Sequence, residues 1–504
     1  MKNILLLIFF FAIQVSAFAG EKGKIDYQKL EEKINKALID YNNPGLAIAI
    51  VYKGEIKLMK GFGVLEKGKN TAVNENSLFG IASLSKAFTG LAAAQLVEQK
   101  KLNWNDKVTH HIPYFALHDA YLTQLVNIQD LLTHRVGLPT FEGDLLWYGT
   151  NYTPKQIIER IKYYPITQNF RASYGYQNNM FITAGEIIAK VSGKSFDQYL
   201  SDNIFKPLKM TRTFTDVSAF KSDKNIAMPH LQNKVQGLIN YQNSAGTASI
   251  YSNVKDMSNW IKMWLNNGVF EKDTLLKSSS IQQIQSVHNP LGLGGFDKRN
   301  NIQFKGYGYG WFINDYNGLK VVHHDGGLPG YLSKMVLLPN ENFGFVILNN
   351  DMTYLTSALY YQIMDEFLGI SSDRLAEFKS YMDNGKTQEE SELKKRLESK
   401  ISNTQASLKP NLIAGKYFDP SYGETEIKIL NGELIFTMLP TAELFTGKME
   451  HWHYDTWKVQ LNDPFLTYAL ITFQQNEKGE AIGFKIDLPN NDFWFDKLDF
   501  KKIK

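Results

Sequence analysis

The stretch Phe79-Gly80-Ile81-Ala82-Ser83-Leu84-Ser85-Lys86 precedes an alanine-rich segment that extends to Gln99. If a helix begins at Ser83, Lys86 lies one turn later on the same face. Unpaired backbone N–H groups and the positive dipole end of a helix stabilise negative charge that develops on a serine at its N-terminus. Apolar neighbours lower the pKa of a lysine, so that a neutral Lys86 amine can accept the serine proton. The stretch therefore predicts a nucleophile and its base.

Ser-x-x-Lys spacing alone does not identify a site, because it recurs at Ser218/Lys221, Ser252/Lys255 and Ser391/Lys394. The segment after Ser83 is different, because its apolar residues surround almost the whole helix; they are Phe88, Leu91, Ala92, Ala93, Ala94, Leu96 and Val97. This pattern predicts a buried helix. Burying a serine and a lysine at its start costs free energy without an obvious packing purpose, which favours a functional role.

The composition excludes several classes of function. The chain has 504 residues, more than one core usually supports, so we expect at least two domains. It contains no cysteine, which excludes disulfides, thiol catalysis, cysteine-based metal sites and lipid attachment to cysteine. The net charge of +4 comes without a basic stripe interleaved with aromatic residues, so we expect no nucleic-acid partner.

The N-terminus predicts a signal peptide at residues 1–19. Lys2 precedes an unbroken apolar run at residues 4–13, and Ala17-Phe18-Ala19 fits a small-x-small cleavage site. The alternative is an N-terminal membrane anchor, although the apolar run is short for a span. No later stretch approaches 18 apolar residues. We therefore expect a periplasmic or secreted protein without stable membrane insertion after cleavage.

Residues 24–370 predict one domain of mixed helices and strands. An amphipathic helix over residues 24–42 leads into a hairpin of strands 46–52 and 55–60. Further elements are expected in order as helices 127–134, 180–191 and 254–266, strands 307–313 and 319–323, a turn over 326–330, strands 333–338 and 343–348, and a helix over 353–368.

Residues 371–408 predict a charged helical linker, since Glu390/Lys394 and Glu392/Arg396 have the favourable order for i,i+4 ion pairs. Residues 409–504 then change to short strands and turns, with Asn431-Gly432 as the turn of a hairpin. We expect a separate β domain of the usual size there.

Histidines give two further hypotheses. His134 follows a short helix, where it either serves as a catalytic base or, as we favour, bonds to backbone groups. His451 and His453 share a strand face, as two metal ligands would, but no third ligand is evident in the sequence nearby, so we favour an aromatic strand.

Three separated elements occur in order along the chain: Ser83-x-x-Lys86, Tyr176-x-Asn178 and His324-x-Gly326. This set resembles the serine β-lactamase and penicillin-binding-protein superfamily, most closely its class C-like branch of β-lactamase-related esterases and D-peptidases. The segments 131–139, 204–210 and 307–311 also match that branch in place. The tail resembles the small lipocalin-like β domain often appended in this branch.

The resemblance implies an α+β fold in which an antiparallel sheet flanked by helices lies beside an all-α subdomain, followed by a small all-β domain. Ser83 would form an acyl-enzyme, while Lys86 and Tyr176 would share its proton. Lys86 would lower the pKa of Tyr176 if the phenol were the base. Asn178 would orient Lys86 and contact a substrate amide. The sequence leaves open which of Lys86 and Tyr176 is the base.

The resemblance also implies an oxyanion hole. Backbone N–H groups of Ser83 and Gly327 would form it, with Gly326 beside the substrate. No cofactor or metal is implied, despite the run His323-His324-Asp325.

His324 stands where the best-known β-lactamases and D-Ala-D-Ala peptidases carry a lysine. A histidine is largely neutral at pH 7, so it suits a hydrogen bond to Tyr176 or substrate better than binding of a substrate carboxylate. We expect a hydrolase for peptides, amides or esters, with D-amino-acid-containing peptides among its substrates. The alternatives are a weak class C-like β-lactamase and a non-catalytic sensor of cell-wall fragments. The oligomeric state stays open.

Overall fold

The structure is a computed structural model of the chain and describes residues 22–503. The predicted signal peptide at residues 1–19 lies outside the described residues. None of the helices between residues 22 and 503 combines the length and the apolar character that a membrane crossing needs.

An eight-stranded antiparallel sheet forms the centre of the first domain, and its strands are β1 (Gly45–Tyr52), β2 (Glu55–Gly63), β3 (Asn289–Pro290), β4 (Lys305–Tyr307), β5 (Phe312–Tyr316), β6 (Leu319–Leu328), β7 (Tyr331–Leu338) and β8 (Phe343–Asn349). They lie in the order β2-β1-β8-β7-β6-β5-β4-β3. Alternate residues of β1 point into two separate apolar cores, with Ala47 and Ala49 in one and Ile48 and Ile50 in the other. The sheet is therefore covered on both faces.

The α-helices within residues 22–503 are α1 (Tyr27–Asp40), α2 (Ser85–Glu98), α3 (Val108–His111), α4 (Ala120–Leu125), α5 (Ile128–Leu132), α6 (Pro154–Arg160), α7 (Asn178–Ser192), α8 (Phe196–Leu200), α9 (Val254–Leu265), α10 (Ser278–Ile284), α11 (Gly295–Arg299), α12 (Leu355–Leu368), α13 (Arg374–Glu398) and α14 (Pro410–Ile413). Helices α1 and α12 cover one face of the sheet, while α9 packs on β1 and β8 from the other. Helix α7 contacts α2, α3, α5, α6 and α8 and so forms the centre of the helical subdomain. The expected α+β class is confirmed.

The predicted turn over residues 326–330 is confirmed only at Pro329-Gly330, because β6 continues through Gly326 and Gly327 to Leu328. Those residues pair with β7, in the register Gly326↔Ser333 and Gly327↔Leu332. On its other side β6 pairs with β5 only over residues 319–323. Beyond that pair one side of β6 is open, which makes it a local edge at the site described below.

The second domain is a closed antiparallel barrel of eight strands, which are β9 (Gly415–Asp419), β10 (Gly423–Leu430), β11 (Glu433–Met438), β12 (Thr446–His453), β13 (Thr456–Val459), β14 (Ala469–Gln475), β15 (Ala481–Asp487) and β16 (Phe500–Ile503). The predicted hairpin around Asn431-Gly432 is confirmed as β10 and β11. Rings of Tyr417, Phe473, Phe484 and Phe500 fill the barrel interior and contact one another.

Helix α13 carries the charged segment before the barrel, but its ion pairs differ from the two expected ones. Lys394 pairs with Glu398 at 3.8 Å rather than with Glu390. Arg396 bonds to Asp487 of the barrel at 2.8 Å rather than to a neighbour on its own helix. The longer-range pair forms because the helix lies against the barrel, which a pattern within one helix does not reveal.

Candidate active site

Ser83 lies in a short 3-10 turn, Ala82–Leu84, that leads into α2. The regular helix therefore begins two residues later than the sequence predicts. Ala82 has a φ of 50°, a left-handed conformation that costs energy for a residue with a Cβ. The surrounding bonds hold this conformation: Ser85 Oγ donates to Ala82 O at 2.7 Å, and Ser333 Oγ donates to Ile81 O at 2.8 Å. The turn fixes where the Ser83 side chain points.

Gly326 permits strand β6 to approach this turn. A Cβ at residue 326 would lie 2.2 Å from Ser333 Oγ and 2.4 Å from Ile81 O. At Gly327 the nearest atom to such a Cβ is Leu332 Cδ2 at 3.6 Å, an ordinary contact. Gly326 is therefore required for the close contact between β6 and the turn, whereas a side chain at residue 327 would find room.

Lys86 is completely buried next to Ser83. Its Nζ lies 3.0 Å from Ser83 Oγ and donates to Asn178 Oδ1 at 2.6 Å and to Thr247 O at 3.2 Å. The aromatic rings of Tyr176 and Phe181 lie 4.8 and 5.5 Å from the same nitrogen. Burial holds the pKa of Lys86 well below its usual range, against the opposing effect of the Asp144 carboxyl.

The contacts of Lys86 accommodate a neutral amine, the form that its lowered pKa favours. A neutral lysine has two N–H donors and one lone pair, and the two oxygen acceptors Asn178 Oδ1 and Thr247 O use both donors. The lone pair is then left for the Ser83 hydroxyl. This geometry suits transfer of the serine proton to Lys86.

The other Ser-x-x-Lys pairs have different surroundings. Ser252 Oγ is buried and bonds to Thr213 Oγ1 at 2.8 Å. Ser218 Oγ donates to Asp216 Oδ2 at 2.5 Å, and Ser391 is exposed on α13. Within residues 22–503, a hydrogen bond joins serine and lysine of such a pair only at Ser83.

Asp144 is a site residue that the sequence analysis missed. Its Oδ2 accepts a bond from Asn178 Nδ2 at 2.5 Å, which turns Asn178 Oδ1 toward Lys86. Burial raises the pKa of Asp144 to about 8, although the bond from Asn178 and the nearby Lys86 act in the opposite direction. At neutral pH the carboxyl is therefore protonated, and it does not hold Lys86 in the charged form.

Tyr176 is held by residues 134–141, which overlap the segment 131–139 that resembles the class C-like branch. Its backbone N–H donates to Thr140 Oγ1 at 3.1 Å, and its carbonyl accepts from Phe141 N at 2.8 Å. The phenol interacts with the Ser83 side chain. Burial raises the pKa of Tyr176 far above 10, contrary to the expectation that Lys86 lowers it. Tyr176 is thus a protonated donor rather than a phenolate.

His134 bonds to backbone, as favoured from the sequence. Its Nδ1 accepts the N–H of Gln177 at 2.9 Å, and its ring lies 4.4 Å from that of Tyr176. Burial keeps its pKa well below the ordinary value, so the ring is neutral. His134 supports the loop that carries Tyr176 and Asn178.

His324 is neutral for the same reason. Burial is the largest cause that lowers its pKa, to about 3. Its Nδ1 donates to Asp325 O at 2.6 Å, so its Nε2 accepts the hydroxyl of Tyr307 at 2.9 Å. Both ring nitrogens have partners, and neither partner is Tyr176, contrary to one of the two expected roles.

A cavity of about 440 Å³ opens in front of Ser83. The predicted residues Tyr176, Asn178, His324 and Gly327 line it, and Lys86 lies just beneath. Further lining residues come from all parts of the chain, namely Thr140, Phe141, Asp144, Trp147, Tyr174, Ala248, Leu291, Lys305, Phe312, Asp325, Leu328, Pro329, Met352, Phe465, Asp492 and Phe493. The three separated sequence elements therefore meet at one open cavity.

This fold and this set of side chains define the class of β-lactamase-like and penicillin-binding-protein-like folds with an appended β-barrel. The profile of the Beta-lactamase family matches residues 28–361, and a profile described as a domain of unknown function, DUF3471, matches residues 399–502. The chain belongs to the beta-lactamase family, which confirms the resemblance inferred from the motifs.

Individual relatives are distant. Unguisins hydrolase ungD' of Aspergillus campestris is 26% identical over 437 residues, which span 79% of this chain and 77% of that protein. Protein flp of Staphylococcus aureus is 28% identical over 327 residues, which span 64% of this chain and 63% of flp. The solved octameric penicillin-binding protein homologue from Pyrococcus abyssi is 22% identical, with a TM-score of 0.60 over 95% of this chain and 100% of its own. The last similarity shows a shared fold.

Proposed function

We propose that the protein is an exported serine hydrolase that cleaves peptide, amide or ester substrates, including peptides with D-amino acids, through an acyl-enzyme on Ser83. One observation carries the proposal: the Ser83 hydroxyl faces an open cavity and lies 3.0 Å from a buried lysine whose two N–H groups are already used. The name of the Aspergillus relative, a hydrolase, agrees with this class of reaction.

In the proposed reaction Ser83 Oγ attacks the substrate carbonyl carbon while Lys86 Nζ takes the hydroxyl proton. The N–H groups of Ser83 and Gly327 stabilise the oxyanion, each donor being worth about 3 kcal/mol of the barrier. The protonated Tyr176 gives its proton to the leaving nitrogen or oxygen as the bond to carbon breaks. Lys86 then passes the proton that it took from Ser83 to Tyr176. Water then attacks the acyl-enzyme and gives one proton to the same pair, which passes a proton to Ser83 Oγ as its bond to the carbonyl carbon breaks and the acid is released.

A fluorescent phosphonate probe tests the nucleophile. We expect covalent labelling of the wild-type protein and none of Ser83→Ala, with Ser391→Ala as the matched control because it changes an exposed Ser-x-x-Lys pair on α13. Unlabelled wild-type protein, or a labelled Ser83→Ala variant, would contradict the proposal. A non-catalytic sensor of cell-wall fragments predicts the first of these results.

Parallel assays with nitrocefin, p-nitrophenyl esters and D-aminoacyl anilides separate the substrate classes. We expect faster turnover of esters and anilides than of nitrocefin, because the neutral His324 offers no cation for a β-lactam carboxylate. Faster hydrolysis of nitrocefin would instead favour a class C-like β-lactamase.

Export and assembly are part of the proposal. The N-terminal sequence pattern supports export, and mass spectrometry of protein from the culture medium or periplasm would find an N-terminus at Gly20 if cleavage follows Ala19. The octamer named for the Pyrococcus homologue motivates a test of self-association by light scattering.

A further inference from the structure

The barrel forms part of the wall of the Ser83 cavity. Phe465, Asp492 and Phe493 belong to the barrel, and all three line the cavity together with Ser83 and Tyr176. The matching family profile assigns the barrel no function. Its side chains nevertheless lie where a substrate bound to Ser83 would contact them.

The barrel is held in this position by contacts to one segment of the first domain, residues 144–152. Tyr148 Oη donates to Asp463 Oδ2 at 2.8 Å, and the ring centroids of Tyr148 and Phe493 lie 4.2 Å apart. Tyr152 Oη donates to Tyr422 O at 2.5 Å, and all these side chains except that of Tyr152 are almost completely buried. The contact is therefore a packed interface, and the barrel residues keep a fixed place at the cavity.

The charges around the cavity leave one carboxylate without a counterion. Asp325 bonds to Lys334 at 2.7 Å, and Lys305 bonds to Asp297 at 3.1 Å. Asp492 is half-buried, and within residues 22–503 no positively charged side chain or hydrogen-bond donor reaches its carboxylate. A partly desolvated, unpaired anion attracts a cation strongly.

We propose that the barrel selects the substrate: Asp492 binds a cationic ammonium group of the substrate, and Phe465 and Phe493 contact its apolar part. The two rings lie 6.1 Å apart and line the same cavity as the carboxylate, where they offer apolar contact. The neutral His324 fits this assignment, because the cavity then favours a cationic substrate over an anionic one. This inference rests on the proposed hydrolase function.

Two pairs of esters test the assignment in the full chain. The first pair, p-nitrophenyl 4-(trimethylammonio)butanoate and p-nitrophenyl 5,5-dimethylhexanoate, differs by a charge in the acyl part. The second, choline butanoate and 3,3-dimethylbutyl butanoate, differs by a charge in the alcohol part. We expect the wild type to prefer the charged member of at least one pair in kcat/KM, and Asp492→Asn to reduce that preference by about tenfold.

Asp496→Asn is the matched control, since it removes the same charge from an exposed residue of the same barrel segment that does not line the cavity. It should keep the wild-type preference. Phe465→Ala should lower kcat/KM equally for both members of a pair, because it removes an apolar contact and no charge.

A neutral phosphonate probe distinguishes failure of this inference from failure of the proposed function. If Asp492→Asn is labelled at the wild-type rate and its preference in both ester pairs is unchanged, the barrel assignment is overturned while the hydrolase stands. If wild-type protein is neither labelled nor active on any ester, the hydrolase is overturned and the barrel assignment with it.

Discussion

The substitution Asp144→Asn tests whether burial alone keeps the Lys86 amine neutral. Both side chains are buried, the pKa of Asp144 is raised to about 8, and that of Lys86 is lowered well below its usual range. If the Lys86 amine is neutral between pH 5.5 and 7.5, the folded pair carries one proton in that range, on the aspartate. The unfolded pair also carries one proton, on the lysine, so the pair contributes no pH dependence to the free energy of unfolding.

Removing the carboxyl reveals the contribution of Lys86 to the pH dependence of the free energy of unfolding. In Asp144→Asn the folded protein binds no proton at this site, whereas the unfolded chain binds one at Lys86. Because the unfolded state then binds more protons, a rise in pH destabilises it relative to the folded state. The free energy of unfolding should then increase, relative to wild type, by about 1.4 kcal/mol per pH unit, or about 3 kcal/mol over the window.

Lys86→Met should show the opposite slope. The folded Asp144 keeps its proton up to a pH of about 8, while the unfolded aspartate has lost it above pH 4. The free energy of unfolding should decrease by about 1.4 kcal/mol per pH unit in the same window, and the double variant should again be flat. Burial is the largest cause of the lowered pKa values of His134 and His324, so both rings stay neutral in the folded form of all four proteins and their contribution cancels in the comparison.

Urea unfolding curves at pH 5.5, 6.5 and 7.5 measure these slopes. If Asp144→Asn has the same slope as wild type, the buried amine keeps its proton without the carboxyl nearby. Lys86 would then be a cation in its site, and the assignment of Lys86 as the base that accepts the Ser83 proton would be refuted.

Four further substitutions have defined outcomes. Lys86→Arg should lower kcat/KM at least about 100-fold, since a guanidinium does not give up its proton, and retained activity would exclude Lys86 as the base. Gly326→Ala should lose about 2 kcal/mol or more of stability in urea unfolding, whereas Gly327→Ala should stay within about 0.5 kcal/mol; equal effects would contradict the close approach of β6. Tyr148→Phe should cost about 1 kcal/mol through its lost bond to Asp463, and no cost would mean that this bond does not hold the barrel.

The sequence predicts those features that depend on contacts near in the chain. The hairpin of β1 and β2 follows from an apolar strand and a mixed one joined by Lys53-Gly54, and the buried character of α2 follows from its apolar circumference. The pairing of Ser83 with Lys86 follows from their spacing on one turn. Each of these features depends on residues within one helix or strand, or within two elements that follow each other in the chain.

Other features depend on contacts between distant segments. Asp144 has no motif around it, and its role comes only from a bond to Asn178, 34 residues later. The two glycines of β6 resemble a turn in the sequence, but Gly326 is needed because β6 passes close to Ile81. The effect of burial on Tyr176 likewise exceeds that of its lysine neighbour, and burial is a property of the folded chain.

The segment 144–152 connects the chemistry of the site with the position of the barrel. Asp144 at its start orients Asn178, Tyr148 in its middle bonds to Asp463, and Tyr152 at its end bonds to the backbone of the barrel. A shift of the barrel would therefore move the carboxyl that turns the Asn178 amide oxygen toward Lys86. Because the lysine needs that oxygen to leave its lone pair for Ser83, a displaced barrel would impair proton transfer even for substrates that never contact it.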